Sequence, residues 1–276
     1  MEATLRLGIF LGVFVVLAVL ELVLPRRPKT EPVGRRWRTN LGLLVVDVLA
    51  QRLTVGAAAF AAAIWAEQRG TGLFHHLAWP GWLEGCLAFL VLDAAIWLQH
   101  LVTHKVPLLW RLHQVHHADL DVDLTTGVRF HPVEIVLSAL WKAVLVVALG
   151  AGPWAVILFE AALNASSVFT HANLGLPERL DRALRWVVCT PDMHRIHHST
   201  DRAETDSNYG FCLSVWDRLF KTMRRDPAKG QLGVELGLAC YRDARALGLG
   251  SLLVMPFSSA RPPTGAAAGR RSGRSA

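Results

Sequence analysis

Five long apolar stretches constrain this chain more than any other feature. They run at about 5–25, 41–65, 82–101, 133–149 and 154–169. A helix needs about 20 such residues to cross the hydrocarbon core of a bilayer. Composition agrees: of 276 residues, 52% are hydrophobic and only 18% charged, where a soluble domain carries about a quarter. The predicted fold is all-α, an integral membrane helical bundle. Asp47 and Arg52 fall inside the second stretch and should face protein or an interface, because charge facing lipid is costly. The first stretch has neither a strongly basic start nor a small-residue cleavage site, so it reads as a retained anchor rather than a signal peptide.

Charge sets an expected orientation. Arg26, Arg27, Lys29, Arg35, Arg36 and Arg38 follow the first stretch. By the positive-inside rule this loop is cytoplasmic and the N-terminus lies outside. Trp79 and Trp82 mark an interfacial segment, and His75 and His76 read as polar interface residues beside them. Gly150-Ala-Gly-Pro153 separates the last two stretches into a helical hairpin. The odd number of crossings returns the chain to the cytoplasm and leaves every histidine cluster on that side, as a cytoplasmic histidine-rich cap. Cytoplasmic loops account for the net charge of +7, so no nucleic acid is expected as a partner. Cys86, Cys189, Cys212 and Cys240 show no CxxC spacing, which leaves zinc ribbons and thioredoxin-like chemistry without support.

The twelve histidines are not scattered. Three clusters stand out: His100-Leu-Val-Thr-His104, His113-Gln-Val-His116-His117 and His194-Arg-Ile-His197-His198. Residues three and four apart share a helix face, so each cluster presents two or three imidazoles in one direction. Eight imidazoles from three helices could fill the shells of two metal ions. Imidazole suits iron, zinc, copper and nickel alike, so spacing alone does not choose the metal.

With these boxes the chain resembles the fatty acid hydroxylase and sterol desaturase superfamily, from about Asp93 to Thr222. The shared pattern is HxxxH, HxxHH and HxxHH. It extends to Asp93, Leu109-Trp110-Arg111, Arg129-Phe-His131-Pro132-Val-Glu134, Thr170-His171-Ala-Asn173, Asn208-Tyr209-Gly210 and Trp216-Asp217-Arg-Leu-Phe220. Leu101 and Ala118 stand where members often have Arg and Ser; neither replaces a ligand, and both leave the subfamily open. The resemblance implies a non-haem di-iron centre on the cytosolic face, two iron ions with O2 as co-substrate, acting on lipid chains or sterols by hydroxylation or desaturation. The implied ligands are His100, His104, His113, His116, His117, His194, His197 and His198. His131 and His171 either complete the set or stand next to it. Asp93, Glu134 and Asn173 are the residues expected to hydrogen-bond to ligand imidazoles. Asp93 could equally be a buried polar partner within the bundle, and Glu134 could simply start the helix after Pro132. Zinc, which stands above iron(II) in affinity, is expected to substitute in purified material.

The residues also bear on two other classes. A zinc-dependent membrane hydrolase would be favoured by an HExxH helix, and none occurs; the ExxH arrangement of carboxylate di-iron bundles is also missing. A metal-binding membrane transporter tends to carry its polar residues at mid-membrane, whereas these histidines lie at the ends of apolar stretches. An oxygenase also needs electrons. The cysteines cannot hold an iron–sulfur cluster, and no cytochrome-like segment is present. A separate ferredoxin- or cytochrome-type donor is therefore expected on the basic cytoplasmic face. The membrane would be the cytoplasmic one in a bacterium and the endoplasmic reticulum in a eukaryote. The expected organisation is anchor spans and basic loop at 1–80, a catalytic domain at 81–225, a helical segment at 226–257 and a disordered basic tail at 258–276.

Overall fold

A computed structural model describes residues 2–258. The expected basic tail lies outside the described residues apart from Ser258. Among the described residues the fold is all-helical, with isolated bridges and no strand. The bundle comprises α1 (Glu2–Val23), α2 (Val33–Thr54), α3 (Ala58–Arg69), α4 (Gly81–Lys105), α6 (Pro132–Leu149) and α7 (Pro153–His171), with α5 (Pro107–His117) inserted after α4. The short α8 (Glu178–Leu184), α9 (Pro191–His197), α10 (Arg202–Thr205), α11 (Val215–Leu219), α12 (Gly230–Gly233) and α13 (Leu249–Val254) follow.

Four segments are long and apolar enough to cross a membrane: α1, the α2–α3 pair, α4 and α6. The fifth expected crossing, α7, is not among them. It carries Glu160, which is buried and ion-paired with Arg6 at 2.7 Å and Lys142 at 2.9 Å. The bundle presents Leu11, Val15 and Val19 of α1, Leu90 and Val91 of α4, and Leu137 and Val144 of α6 at its surface. So continuous an apolar exterior suits lipid rather than water. Inside, Leu92 and Ile96 of α4 meet Val146 of α6 and Val156 and Phe159 of α7.

Punctuation in the sequence sets the hairpin. Pro132 and Pro153 open α6 and α7 at their first turns, and Gly150 closes α6 at φ 70°; proline tolerates the first turn and glycine the left-handed cap. The second apolar stretch differs from the sequence reading. It is two helices, broken at Val55-Gly56-Ala57 with Gly56 at φ 57°, and α2 begins at Val33, well before 41. Tertiary contacts explain that early start: the first turns of α2 are held by a buried network, and packing rather than propensity carries most helices.

That network forms the floor of the cap. Arg36 sits bidentate on Asp119, both contacts 2.8 Å, and reaches Asp123 at 2.7 Å. Asn40 donates to Asp119 and Thr125 and accepts from Arg129 at 2.8 Å. Asp121 accepts from the Thr30 and Glu31 backbone amides, and Arg26 pairs with Asp192. Burial alone would raise these carboxyls. Arg36 and Arg129 instead hold Asp119 below its ordinary value, and Arg36 with Lys29 holds Asp123 at about 2. In the loop that reads as free positive charge, Lys29 and Arg36 are thus ion-paired to the segment after the second histidine box, Arg26 to Asp192 before the third, and Arg35 to Glu31. The C-terminal ends of α1, α4 and α7 and the N-terminal ends of α2 and α6 all meet at this level.

Candidate metal centre

Four elements bring nine imidazoles together. His100 and His104 lie one turn apart at the end of α4; His113, His116 and His117 end α5; His171 is the last residue of α7; His194 and His197 lie on α9, with His198 just after it. All nine are buried. They fall into two groups, His100, His104, His113, His117 and His197 in one, His116, His171, His194 and His198 in the other. Within each group one nitrogen per ring lies within 4.8 Å of all the others. The groups adjoin, with His117 stacked on His198 at 4.5 Å.

Ring orientation is set from outside. The Nδ1 of His100 is 2.7 Å from the Tyr209 carbonyl, that of His116 3.0 Å from the Arg129 carbonyl, that of His171 2.6 Å from the Ser167 carbonyl, and that of His197 2.7 Å from the Ser207 carbonyl. The Nδ1 of His113 is 2.6 Å from Glu134 Oε1. A carbonyl can only accept, so these Nδ1 atoms carry the proton and each Nε2 turns a lone pair inward. Those inward nitrogens face one another: His100 and His113 at 3.1 Å, His116 and His171 at 3.0 Å, His171 and His194 at 3.0 Å. Two lone pairs cannot bond each other. Two imidazoles on one metal ion, each about 2.1 Å from it, stand about 3 Å apart when they approach at right angles.

The unpaired atoms make the same point. Both ring nitrogens of His104, His117 and His198, with His194 Nδ1 and His197 Nε2, are buried without a hydrogen-bond partner. At about 1–3 kcal/mol for each such atom, they would offset most of a usual folding stability of about 5–15 kcal/mol. A metal ion would take one nitrogen from each ring and so remove a large part of that cost. Burial first, and the neighbouring imidazoles next, push His116, His117, His194 and His198 well below the ordinary histidine value, and His197 to about 3. Neutral imidazole is the form that binds metal. Phe130 stacks on His116 at 4.6 Å, and Trp110 packs on His104 at 4.9 Å and His117 at 5.3 Å, closing the cluster with apolar rings.

The eight box histidines and His171 therefore come together. His131 does not. Its Nδ1 accepts from the Val133 amide as the cap of α6, and its Nε2 is 3.2 Å from the Leu253 carbonyl. Glu134 contacts His113, as a residue orienting a ligand would. Asp93 instead accepts from Trp216 Nε1 at 2.8 Å and the Leu213 amide at 3.2 Å, touching no imidazole. Asn173 bonds the backbone of Arg27 on both sides of its amide, tying the loop after α1 to α7. Sequence reasoning gave no role to Asp217, although the Trp216-Asp217 motif was visible. Asp217 is fully buried and takes the Tyr209 and Gly210 amides, Trp97 Nε1 and Thr222 Oγ1, so it fixes the loop whose carbonyl orients His100.

The family model for fatty acid hydroxylase matches residues 85–222, half of the chain and the span that holds all nine imidazoles. The chain belongs to the fatty acid hydroxylase family. It is 26% identical over 263 residues to ornithine lipid hydroxylase OlsE of Rhizobium tropici, covering 91% of this chain and 75% of that protein. It is 28% identical to alkylglycerol monooxygenase of Xenopus tropicalis, across 80% of this chain and 48% of the relative. To human alkylglycerol monooxygenase it is 30% identical, across 62% and 36%. The chain thus spans about half or less of the alkylglycerol monooxygenases it matches. No solved structure matches. The relatives are lipid hydroxylases and monooxygenases, and the apolar helices make this chain a membrane protein.

Proposed function

We propose that this protein hydroxylates an unactivated C–H bond of a membrane lipid with O2, its two histidine groups holding two iron ions. The observation that carries this reading is the convergence of nine buried imidazoles, five of which (His100, His113, His116, His171 and His197) have the outer nitrogen held by a carbonyl or Glu134 and the inner one turned into the cluster. Bound there, iron would supply oxygen activation and the oxidising power for C–H chemistry. The chain's own part is placement. The carbonyls of Tyr209, Ser207, Arg129 and Ser167 fix the tautomers, and Glu134 holds His113. Phe130, Trp110 and Phe211, the last 5.0 Å from the His100 ring, keep water out. His100 and His171 end two bundle helices, which supports a site at the level where a lipid chain can enter between helices. Hydroxylation is preferred to desaturation because the relatives bear the names hydroxylase and monooxygenase. Glu134 is engaged with His113, which argues against its acting as a hydrolase's general base.

The balance of the reaction requires a donor: C–H, O2, two electrons and two protons give C–OH and water. A separate ferredoxin- or cytochrome-type protein on the cytoplasmic face fits this need. The test supplies membranes, a reductase system and isotopically labelled oxygen gas, and follows extracted lipids by mass spectrometry. Label in a new lipid hydroxyl is expected. Loss of two hydrogens without label would replace hydroxylation by desaturation. Neither change, with iron loaded and a competent donor across a broad lipid panel, would remove the oxygenase reading.

A further inference from the structure

The cap carries an apolar face that the histidine site does not use. Trp186, Val187, Val215, Leu219 and Phe220 are all large, apolar and exposed, Trp186 at 66% and Leu219 at 63%. They form one surface: Ser214 donates to the Val187 carbonyl, Val188 bridges Leu213, and the Arg218 guanidinium lies 4.5 Å over the Trp186 ring. Its depth can be read from α4. Phe220 stacks on Trp97 at 4.6 Å, and α4 continues from Trp97 to Lys105. At 1.5 Å per residue the stack lies about 12 Å below the end of that helix. α4 has 25 residues, about 7.5 Å more than the roughly 20 that span the hydrocarbon core, so Phe220 packs on the flank of a candidate span just inside the edge of the core. The apolar face therefore continues the lipid-facing exterior of the bundle.

Beside this face is a cavity of about 690 Å³. Arg26, Arg182 and Arg185 in its wall are paired with Asp192, Glu178 and Asp181. Arg218 and Arg225 also line it and have no carboxylate within ion-pair distance among the described residues. Trp186 belongs to both the cavity and the apolar face. Aromatic rings at the headgroup level, apolar side chains below and unpaired guanidiniums above are the composition of a bilayer-seated surface. We infer that the α8–α11 side of the cap is seated in the bilayer interface, with Leu219 and Phe220 among the acyl chains, Trp186 at the headgroup level, and Arg218 and Arg225 holding the phosphate of an anionic lipid headgroup.

The test does not read turnover, so it stands apart from the oxygenase reading. In a background with the exposed Cys86 and Cys240 changed to serine, a nitroxide label is placed at Leu219→Cys and the protein reconstituted in phosphatidylcholine–phosphatidylglycerol nanodiscs. Molecular oxygen, which partitions into lipid, should relax the label strongly, and a water-soluble nickel chelate should not. Strong relaxation by the chelate would put the face in water and overturn the inference. Shielding from both would mean that protein covers it, a second copy or another chain, and would overturn it equally. A second measurement counts phosphatidylglycerol retained on release, by native mass spectrometry. Arg218→Gln with Arg225→Gln should retain several-fold less than the parent protein. Equal retention, or displacement by inorganic phosphate at low concentration, would remove the lipid headgroup from the cavity.

Discussion

His131 and His171 look alike in the sequence, each a lone histidine at an end of the α6–α7 hairpin, and the structure places them in different surroundings. His171 ends α7 with its Nδ1 on a carbonyl of its own helix and its Nε2 facing two other imidazoles. His131 precedes Pro132, and that pairing could have been decisive. Proline at the first helical position makes the preceding residue the cap, in extended backbone, with its side chain free to take an amide. His131→Ala is therefore expected to keep its full metal content while losing about 0.5–2 kcal/mol of stability, the usual cost of a lost cap. Elemental analysis beside thermal unfolding checks this, and a drop in bound metal would return His131 to the ligands. Asp217→Asn should behave differently. Hydrogen bonds to a charged group contribute about 1.5–3 kcal/mol each, and the amide leaves some of the four donors around Asp217 unmade. The unfolding midpoint should fall, and bound metal with it, because the Tyr209 carbonyl then no longer holds His100. Unchanged metal with a lower midpoint would make Asp217 a purely structural residue.

Elements were legible where chain chemistry is local. The bounds of α4, α6 and α7 lie close to the apolar stretches because glycine and proline mark their ends. The cap floor was not legible. Asp119, Asp121 and Asp123 alternate in a segment that reads as solvated and polar, and their partners, Arg36 and Asn40 for Asp119, Arg36 for Asp123, and Thr30 and Glu31 for Asp121, lie about 80–90 positions earlier in the chain. Local periodicity has no access to such pairings. These buried groups also give the cap a pH signature. The cap histidines after α4 and α7 are neutral when folded, with His197 lowered to about 3, whereas an unfolded histidine titrates near 6.5. The unfolded state then binds more protons below that value, so stability is full above about 6.5 and falls as pH falls toward 3. Asp123, held at about 2, acts in the same direction but only below its unfolded value of about 4. The metal-free protein should lose thermal stability between pH 6.5 and 5, before Asp123 is involved. Differential scanning fluorimetry in detergent would show it, and a midpoint constant from pH 7.5 to 5 would contradict the buried neutral cluster.

On the scale of the whole molecule, one end of the bundle carries the histidines, the ionic floor and the basic loop after α1. We propose that this end faces the cytoplasm, on the positive-inside rule. Arg26, Lys29 and Arg36 in that loop are ion-paired. A reporter inserted at the exposed Ala203 should report the cytoplasm; activity of an exported reporter there would reverse the orientation and move the electron donor to the other side. The central claim is the pair of metal sites, and counting metal tests it most directly. Purified protein should hold about two ions per chain, iron and zinc counted together because zinc competes for the same imidazoles. His104→Ala with His197→Ala disables the five-histidine group, and His171→Ala with His198→Ala disables the other. Each double variant should keep about one ion. A single ion in the parent protein, or a full complement in both double variants, would contradict a two-metal centre built from these nine histidines.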